Sequence, residues 1–108
     1  MTTQQDKFQR FQALHAAEDI FVMPNPWNAG TARMLAAKGF EALATTSAGH
    51  AFSAGVLDTA TMMTREEILA NAAEIVCATD LPVSADLENG FGDDPDSCVK
   101  TLVRAIET

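Results

Sequence analysis

The chain is 108 residues long and carries 15 acidic against 7 basic side chains, a net charge of -8 with both histidines neutral. This balance excludes a basic nucleic-acid-binding surface, because few cations are available to neutralise a row of phosphates. Hydrophobic residues make up 47% of the chain and charged ones 20%, which is typical of a globular domain and not of a disordered acidic tail. The length fits one domain at most.

The two cysteines, Cys77 and Cys98, belong to no CxxC pair and have no histidine at zinc spacing, which favours reduced cysteines in a core. No run reaches the ~18 to 20 apolar residues of a membrane helix, and the first residues do not resemble a signal peptide. We therefore expect a cytoplasmic protein with neither membrane nor nucleic acid as partner.

The first half of the chain alternates between helical and strand-like patterns. Residues 4–17 place apolar side chains at helical spacing and predict an amphipathic helix. Residues 20–23 form a short apolar run before a Pro-Asn-Pro triplet and predict a buried strand. Residues 28–38 predict a second helix that Gly39 can end, and residues 42–46 predict a second strand.

The second half continues the alternation after a connection of about 17 residues, which is long for a loop of this kind. Thr64 and Glu67 form a capping box that predicts the start of a helix. Residues 81–86 predict a third strand. Asp94 followed by Pro95 predicts the start of a last helix. We expect that helix to bury an apolar stripe made of Cys98, Val99, Leu102, Val103 and Ile106.

Strands that alternate with helices indicate βαβ units and a parallel sheet covered on both faces. Three strands are few for such a fold, and a (β/α)8 barrel needs about 250 residues. Residues 1–108 are therefore interpreted as a single incomplete barrel domain, an N-terminal helix followed by the first three βα units of a TIM barrel. A small three-layer α/β domain is the alternative. Exposed sheet edges would invite pairing with more chain or another molecule.

In a parallel sheet the ligand lies beyond the carboxyl ends of the strands, so the residues after each strand carry the information. Asp86 and Glu88 follow the third strand one residue apart, so both carboxylates can approach one point. Hard oxygen ligands at this spacing suit Mg2+. Asp86 also ends an apolar strand, where an unpaired carboxylate would be costly to desolvate without a cation.

The other two strands are followed by less specific segments. Thr46, Ser47 and Ala48 offer hydroxyl and backbone N–H groups that could hold a carboxylate or phosphate, or could form an ordinary turn. Trp27 could line a pocket or belong to the core. The Asn-Gly-Phe-Gly segment that begins at position 89 does not continue as a dinucleotide fingerprint, because Pro95 stands where the third glycine would be needed.

Three segments, PNPWNAGTAR, GFEALATTSAGHAFSAGVLD and PVSADLENGFGD, occur in this order. Together they resemble the N-terminal portion of the isocitrate lyase and phosphoenolpyruvate mutase superfamily, in particular its carboxyvinyl-carboxyphosphonate phosphorylmutase-like members. The resemblance extends over roughly residues 8–107. It implies a (β/α)8 barrel that assembles as a tetramer, and Mg2+-dependent chemistry on small 2-oxo or 2-hydroxy carboxylic acids.

The resemblance also implies residue roles. Asp86 matches the metal-coordinating aspartate, Glu88 the second acid of the metal pair, and Asp58 an acid that orients metal-bound water. Residues 46–48 match the segment that holds the substrate carboxylate, although Thr46-Ser47 replaces the commoner Ser-Gly. Asn28 stands where many members have aspartate.

The resemblance leads to the hypothesis of a Mg2+-dependent lyase that cleaves a carbon-carbon bond through an enolate. The loops that carry the acid/base residue of the lyases, or its counterpart in the mutases, are not among these 108 residues, so we expect no turnover from this chain alone. The alternatives are a phosphonomutase acting on a carbon-phosphorus bond, and a non-catalytic half-barrel that serves in binding or assembly. A phosphate-binding α/β domain that needs no metal is a third, weaker alternative.

Overall fold

The computed structural model describes residues 2–59 and 61–108. Within these residues, five helices and two short strands follow one another. They are α1 (Gln4–Ala16), α2 (Ala29–Ala37), β1 (Leu43–Ala44), α3 (Ser47–Ser53), α4 (Arg65–Ala78), β2 (Val83–Ser84) and α5 (Pro95–Ile106). The strands β1 and β2 are parallel, with Leu43 opposite Val83. The fold is therefore α/β, rich in helix around a small parallel sheet.

The helix starts follow the sequence closely, because each is fixed by partners three residues apart. Thr64 and Glu67 form the predicted capping box at the start of α4, and Asp94 caps α5 by accepting from the Ser97 N–H. Asn28 forms a further capping box with Thr31 at the start of α2. These predicted starts are confirmed. Among residues 2–59 and 61–108, each helix is too short or too polar to cross a bilayer.

The core lies between α2, α4 and the sheet. Ala32, Leu43, Ile75 and Leu81 form one buried cluster that joins these elements. A hydrogen bond from the Asn71 side chain to the Trp27 carbonyl, 2.9 Å long, ties α4 to the segment before α2. The α2 and α4 helices are thus held together by apolar burial and by a partly buried polar contact.

The strand predicted at residues 20–23 is wrong. This segment is not part of the sheet in the described chain, and Ile20 and Val22 are 95% and 61% exposed. Pairing with β1 is seen at Pro24, whose carbonyl accepts from the Ala44 N–H at 3.1 Å. Since proline has no N–H, it can accept such a bond but cannot return one.

The prediction that α5 buries its apolar stripe is also wrong. Of its 12 residues, Thr101 is the buried one, and the larger apolar side chains are between 51% and 67% exposed. The cysteines are not core residues either, since Cys77 is exposed and Cys98 half-buried. Helical spacing predicts which face of a helix is apolar, but no described element covers most of the apolar face of α5.

The connection after β1 contains a helix that the sequence analysis did not predict. Thr46 caps α3, and Ala51 packs in a second cluster with Met63 and Ile68. This short helix therefore brings the connection against the start of α4 instead of leaving it as an open loop.

Candidate functional site

The carboxyl ends of β1 and β2 lie side by side, as expected for parallel strands. The Thr45 N–H donates to the Ser84 carbonyl at 2.8 Å, and the Asp86 N–H donates to the Thr45 hydroxyl at the same distance. Thr45 is buried. The backbone of Asp86 is therefore fixed beside the end of β1 by a side chain as well as by the sheet.

Ser47 connects two of the predicted acids. Its N–H donates to Asp86 Oδ2 at 3.4 Å, and its hydroxyl donates to Asp58 Oδ2 at 3.1 Å. Ser47 is buried, whereas both carboxylates are exposed. Three separate segments, the end of β1, the loop after α3 and the loop after β2, thus meet at one serine.

Glu88 contacts Asp86 through its backbone. Its N–H donates to Asp86 Oδ1 at 3.0 Å, so each carboxylate oxygen of Asp86 accepts one backbone hydrogen bond. Glu88 also lines a cleft of about 910 Å3 together with Asp58, Arg65 and Lys100, whereas Asp86 is not among the lining residues. Asp58 therefore borders both the cleft and the junction at Ser47.

Asp58, Asp86 and Glu88 are the side chains predicted to bind a divalent cation. No ion pair engages Asp58, Asp86 or Glu88 within the described residues. In the same residues no three His, Cys, Asp or Glu side chains are close enough to form a complete metal cluster. Asp58 and Asp86 both accept a hydrogen bond from Ser47 and neither is in an ion pair, which fits Mg2+, an ion held by one or two carboxylates with water and substrate completing its shell. The residues therefore fit a partial, open metal site.

The predicted carboxylate-binding segment has its hydroxyl groups already engaged. The Thr46 hydroxyl accepts from the Gly49 N–H at 3.2 Å as the cap of α3, and the Ser47 hydroxyl donates to Asp58. Ala48 is half-buried beside them. In this arrangement Ser47 orients the acids, which the sequence analysis did not assign to it.

Two neighbouring residues were not predicted as parts of the site. Thr45 holds the Asp86 backbone, and the Asn25 side chain donates to the Ala44 carbonyl at 2.9 Å. Their positions after the predicted strands were the available signal. Trp27, for which the sequence left a pocket wall and a core position open, packs on α3, because a Cβ at Gly49 would lie 2.3 Å from its ring.

The loop between β2 and α5 is held against α5. The Thr101 hydroxyl donates to the Gly90 carbonyl at 2.6 Å in a buried contact. Further along the loop, the hydrogen bonds from Ser97 hold the pKa of the Asp94 carboxyl below its ordinary value. The acidic run after Asp86 therefore divides into site residues and a helix cap.

The amino-acid sequence of this chain is similar to one protein family and to several known proteins. The family model described as phosphoenolpyruvate phosphomutase matches residues 11–108. The 2-methylisocitrate lyase of Bacillus subtilis (strain 168) is 32% identical over 91 residues, which cover 84% of this chain and 30% of the lyase. The chain thus spans about a third of the length of this relative.

Solved structures show the same likeness. One of them is a Burkholderia cenocepacia J2315 protein described as a lyase/mutase. It superimposes with a TM-score of 0.88 at 53% identity, over 94% of this chain and 35% of that one. The structure of 2,3-dimethylmalate lyase gives a TM-score of 0.78 at 31% identity, over 91% of this chain and 35% of the lyase. On sequence and structure together, the chain belongs to the phosphoenolpyruvate mutase/isocitrate lyase superfamily.

Proposed function

We propose that the protein carrying these residues is a Mg2+-dependent lyase that cleaves a carbon-carbon bond in a small 2-oxo or 2-hydroxy carboxylic acid by way of an enolate. The observation that carries the proposal is the convergence of Asp58 and Asp86 on Ser47 at the carboxyl ends of the strands. The names of two relatives, a 2-methylisocitrate lyase and a 2,3-dimethylmalate lyase, support a lyase.

The proposed fold of the whole domain is a (β/α)8 barrel whose N-terminal part is supplied by residues 1–108, with β1 and β2 as two of its strands. The TM-score of 0.88 over 94% of this chain and 35% of the Burkholderia cenocepacia structure supports this proposal. Active sites of such barrels lie at the carboxyl ends of the strands, where the acids described above are found.

Each residue has a distinct proposed role. Asp86 and Glu88 would hold the metal, and Asp58 would orient a water molecule in its shell. Ser47 would keep Asp58 and Asp86 in place through the two hydrogen bonds that it donates. When bound, the metal would supply positive charge where negative charge develops on the substrate.

The backbone of residues 46–48 would orient the substrate carboxylate. The Thr46 hydroxyl caps α3, the Ser47 hydroxyl binds Asp58 and the Ser47 N–H donates to Asp86, so the proposed contact to substrate is made by the backbone N–H groups of Thr46 and Ala48. N–H groups in the first turn of a helix have no partner within the helix. The acid/base residue would come from outside these 108 residues, so we expect the isolated chain to lack turnover.

The proposal is tested on the protein that carries these residues, in Mg2+ and in EDTA, by following the release of 2-oxo acid from 2-methylisocitrate and the disappearance of oxaloacetate. Asp86→Asn should lower kcat/KM by about 100-fold or more, because even outer-shell changes at metal sites cost about 10- to 100-fold. Asp80→Asn is the matched control, since Asp80 is an exposed acid before β2 at the opposite end of the sheet. Turnover in EDTA, or activity that Asp86→Asn leaves unchanged, would contradict the proposal.

A phosphonomutase is the second candidate. The family model that matches residues 11–108 is that of phosphoenolpyruvate phosphomutase. The phosphoenolpyruvate phosphomutase of Streptomyces platensis subsp. rosaceus superimposes with a TM-score of 0.81 at 25% identity. Phosphorus NMR of the protein with phosphoenolpyruvate separates the two reactions. A new carbon-phosphorus resonance without 2-oxo acid release from the other substrates favours the mutase.

A non-catalytic assembly module is the third candidate. The exposed apolar stripe of α5 and the exposure of Ile20 and Val22 favour it, because such surfaces can pair with further copies. Light scattering of the 108-residue chain tests it. A defined oligomer would support pairing, and a well-folded monomer would contradict it.

A further inference from the structure

The loop between β2 and α5 has an unusual backbone conformation. Glu88, Gly90 and Phe91 have φ angles of 52°, 84° and 62°, all in the left-handed region. That region is unfavourable for residues with a side chain, and for bulky ones most of all. A conformation of this kind persists where the surrounding structure fixes it.

One contact from α5 fixes the middle of this loop. The Thr101 hydroxyl donates to the Gly90 carbonyl at 2.6 Å, and Thr101 is 0% exposed. A Cβ at Gly90 would lie 2.9 Å from Cys98 Cα, so the loop backbone touches the helix directly. Phe91 packs on the cluster of Ala51, Met63 and Ile68 on the other side.

The fixed loop carries the acids of the proposed metal site. Glu88 is two residues before Gly90, and its N–H donates to Asp86 Oδ1 at 3.0 Å. Glu88 also lines the cleft with Asp58. A change in the loop at Gly90 would therefore displace Glu88 and remove one of the two hydrogen bonds that orient the Asp86 carboxylate.

We propose that Thr101 is a positioning residue that sets metal affinity, because its hydroxyl holds the Gly90 carbonyl and so fixes the loop that places Glu88 and Asp86. The inference rests on the proposed function. Thr101 touches neither the metal nor the substrate in this account. Without the Thr101 hydroxyl, the buried Gly90 carbonyl would have no hydrogen-bond donor. The loop would have to move for this carbonyl to find another.

The test measures Mn2+ binding to the protein that carries these residues, by the electron paramagnetic resonance signal of free Mn2+. Thr101→Val removes the hydroxyl at nearly constant size and should weaken binding by about 10-fold, the lower end of the range for outer-shell partners. Thr101→Ser keeps the hydroxyl and should restore binding to within about 2-fold. If the valine variant does not fold, Thr101→Cys, whose thiol is a weaker donor, should still bind less tightly than Thr101→Ser.

Thr108→Val is the matched control. Thr108, two residues beyond the end of α5, also donates its hydroxyl to a backbone carbonyl, that of Ala105 at 2.7 Å. A purely structural role for Thr101 would lower the melting temperature and leave the Mn2+ affinity of the folded protein unchanged. That result, or equal affinities of Thr101→Val and Thr108→Val, would overturn the inference.

If the proposed function is wrong, the Mn2+ measurements differ from those expected if only the role of Thr101 is wrong. In that case the unmodified protein does not bind Mn2+, or Asp86→Asn does not weaken binding, and both proposals are overturned together. If the unmodified protein binds Mn2+ and Asp86→Asn loses it while Thr101→Val does not change it, the proposed function stands and the role of Thr101 is rejected.

Discussion

The α4 and α5 helices have similar sequences in one respect and very different surroundings. Each begins with a side-chain cap and continues with apolar residues at helical spacing. Five residues of α4 are buried, whereas in α5 Thr101 alone is. The spacing of apolar residues therefore identifies the side of a helix that can be buried, and only the presence of a neighbour decides that it is.

The neighbours explain the difference. The α4 helix lies against α2, α3 and α5, and its Ile75 is in the cluster with Leu43 of the small sheet. The α5 helix is attached by the Thr101 contact to Gly90 and by an exposed ion pair between Arg104 and Glu66, 2.6 Å long. Exposed ion pairs contribute little to stability, so α5 is the less firmly held of the two.

The largest expected effect separates the two helices directly. Ile75→Ala should lower the free energy of unfolding by about 2 to 5 kcal/mol, because it removes buried methyl groups and leaves a cavity. Val103→Ala on α5 should change it by about 0.5 kcal/mol or less, because Val103 is 53% exposed. Urea denaturation followed by circular dichroism measures both. Equal losses would mean that the stripe of α5 is covered in solution.

A smaller effect is expected at the cap of α4. Thr64→Ala removes the acceptor for the Glu67 N–H and should cost about 1 kcal/mol of unfolding free energy. Thr64→Ser keeps the hydroxyl and serves as the control, with little loss expected in the same urea titration. A neutral alanine variant would show that burial alone holds this helix.

The smallest effect concerns the cap of α5 and depends on pH. The pKa of Asp94 is lowered by hydrogen bonds from Ser97, so this carboxylate stabilises the folded state fully above the unfolded pKa of about 3.9. The contribution is lost as the pH falls through the lower pKa of the folded state. Asp94→Asn keeps a capping oxygen but does not titrate, so its melting temperature should fall less than that of the unmodified protein below about pH 4. Identical acid profiles would contradict this.

Much of the secondary structure could be predicted because its causes are local. The capping boxes at Thr64 and Asn28 join residues three positions apart, and the sequence shows the first of them without ambiguity. The short α3 was missed because seven residues provide too little periodicity, although Thr46 is an ordinary cap. The strand at residues 20–23 was predicted from its apolar composition, which does not supply the backbone partner that a strand needs.

The candidate site was predictable in its residue types and not in its geometry. The resemblance named Asp58, Asp86 and Glu88, and the roles of these residues stay proposals. The structure adds that Ser47 contacts Asp58 and Asp86 and that Thr45 holds the Asp86 backbone. Serine and threonine at these positions have several equally common roles in a turn, so the sequence alone does not predict which contacts Ser47 and Thr45 make.

The amino-acid sequence by itself determined where most helices begin and to which superfamily the chain belongs, since caps and motifs depend on residues that are close along the chain. The tertiary structure alone decided that the α5 stripe is exposed and that Ser47 reaches Asp86, 39 positions away. Contacts at such separation follow from the register of two parallel strands and from which helices have neighbours, and neither is encoded in any one segment.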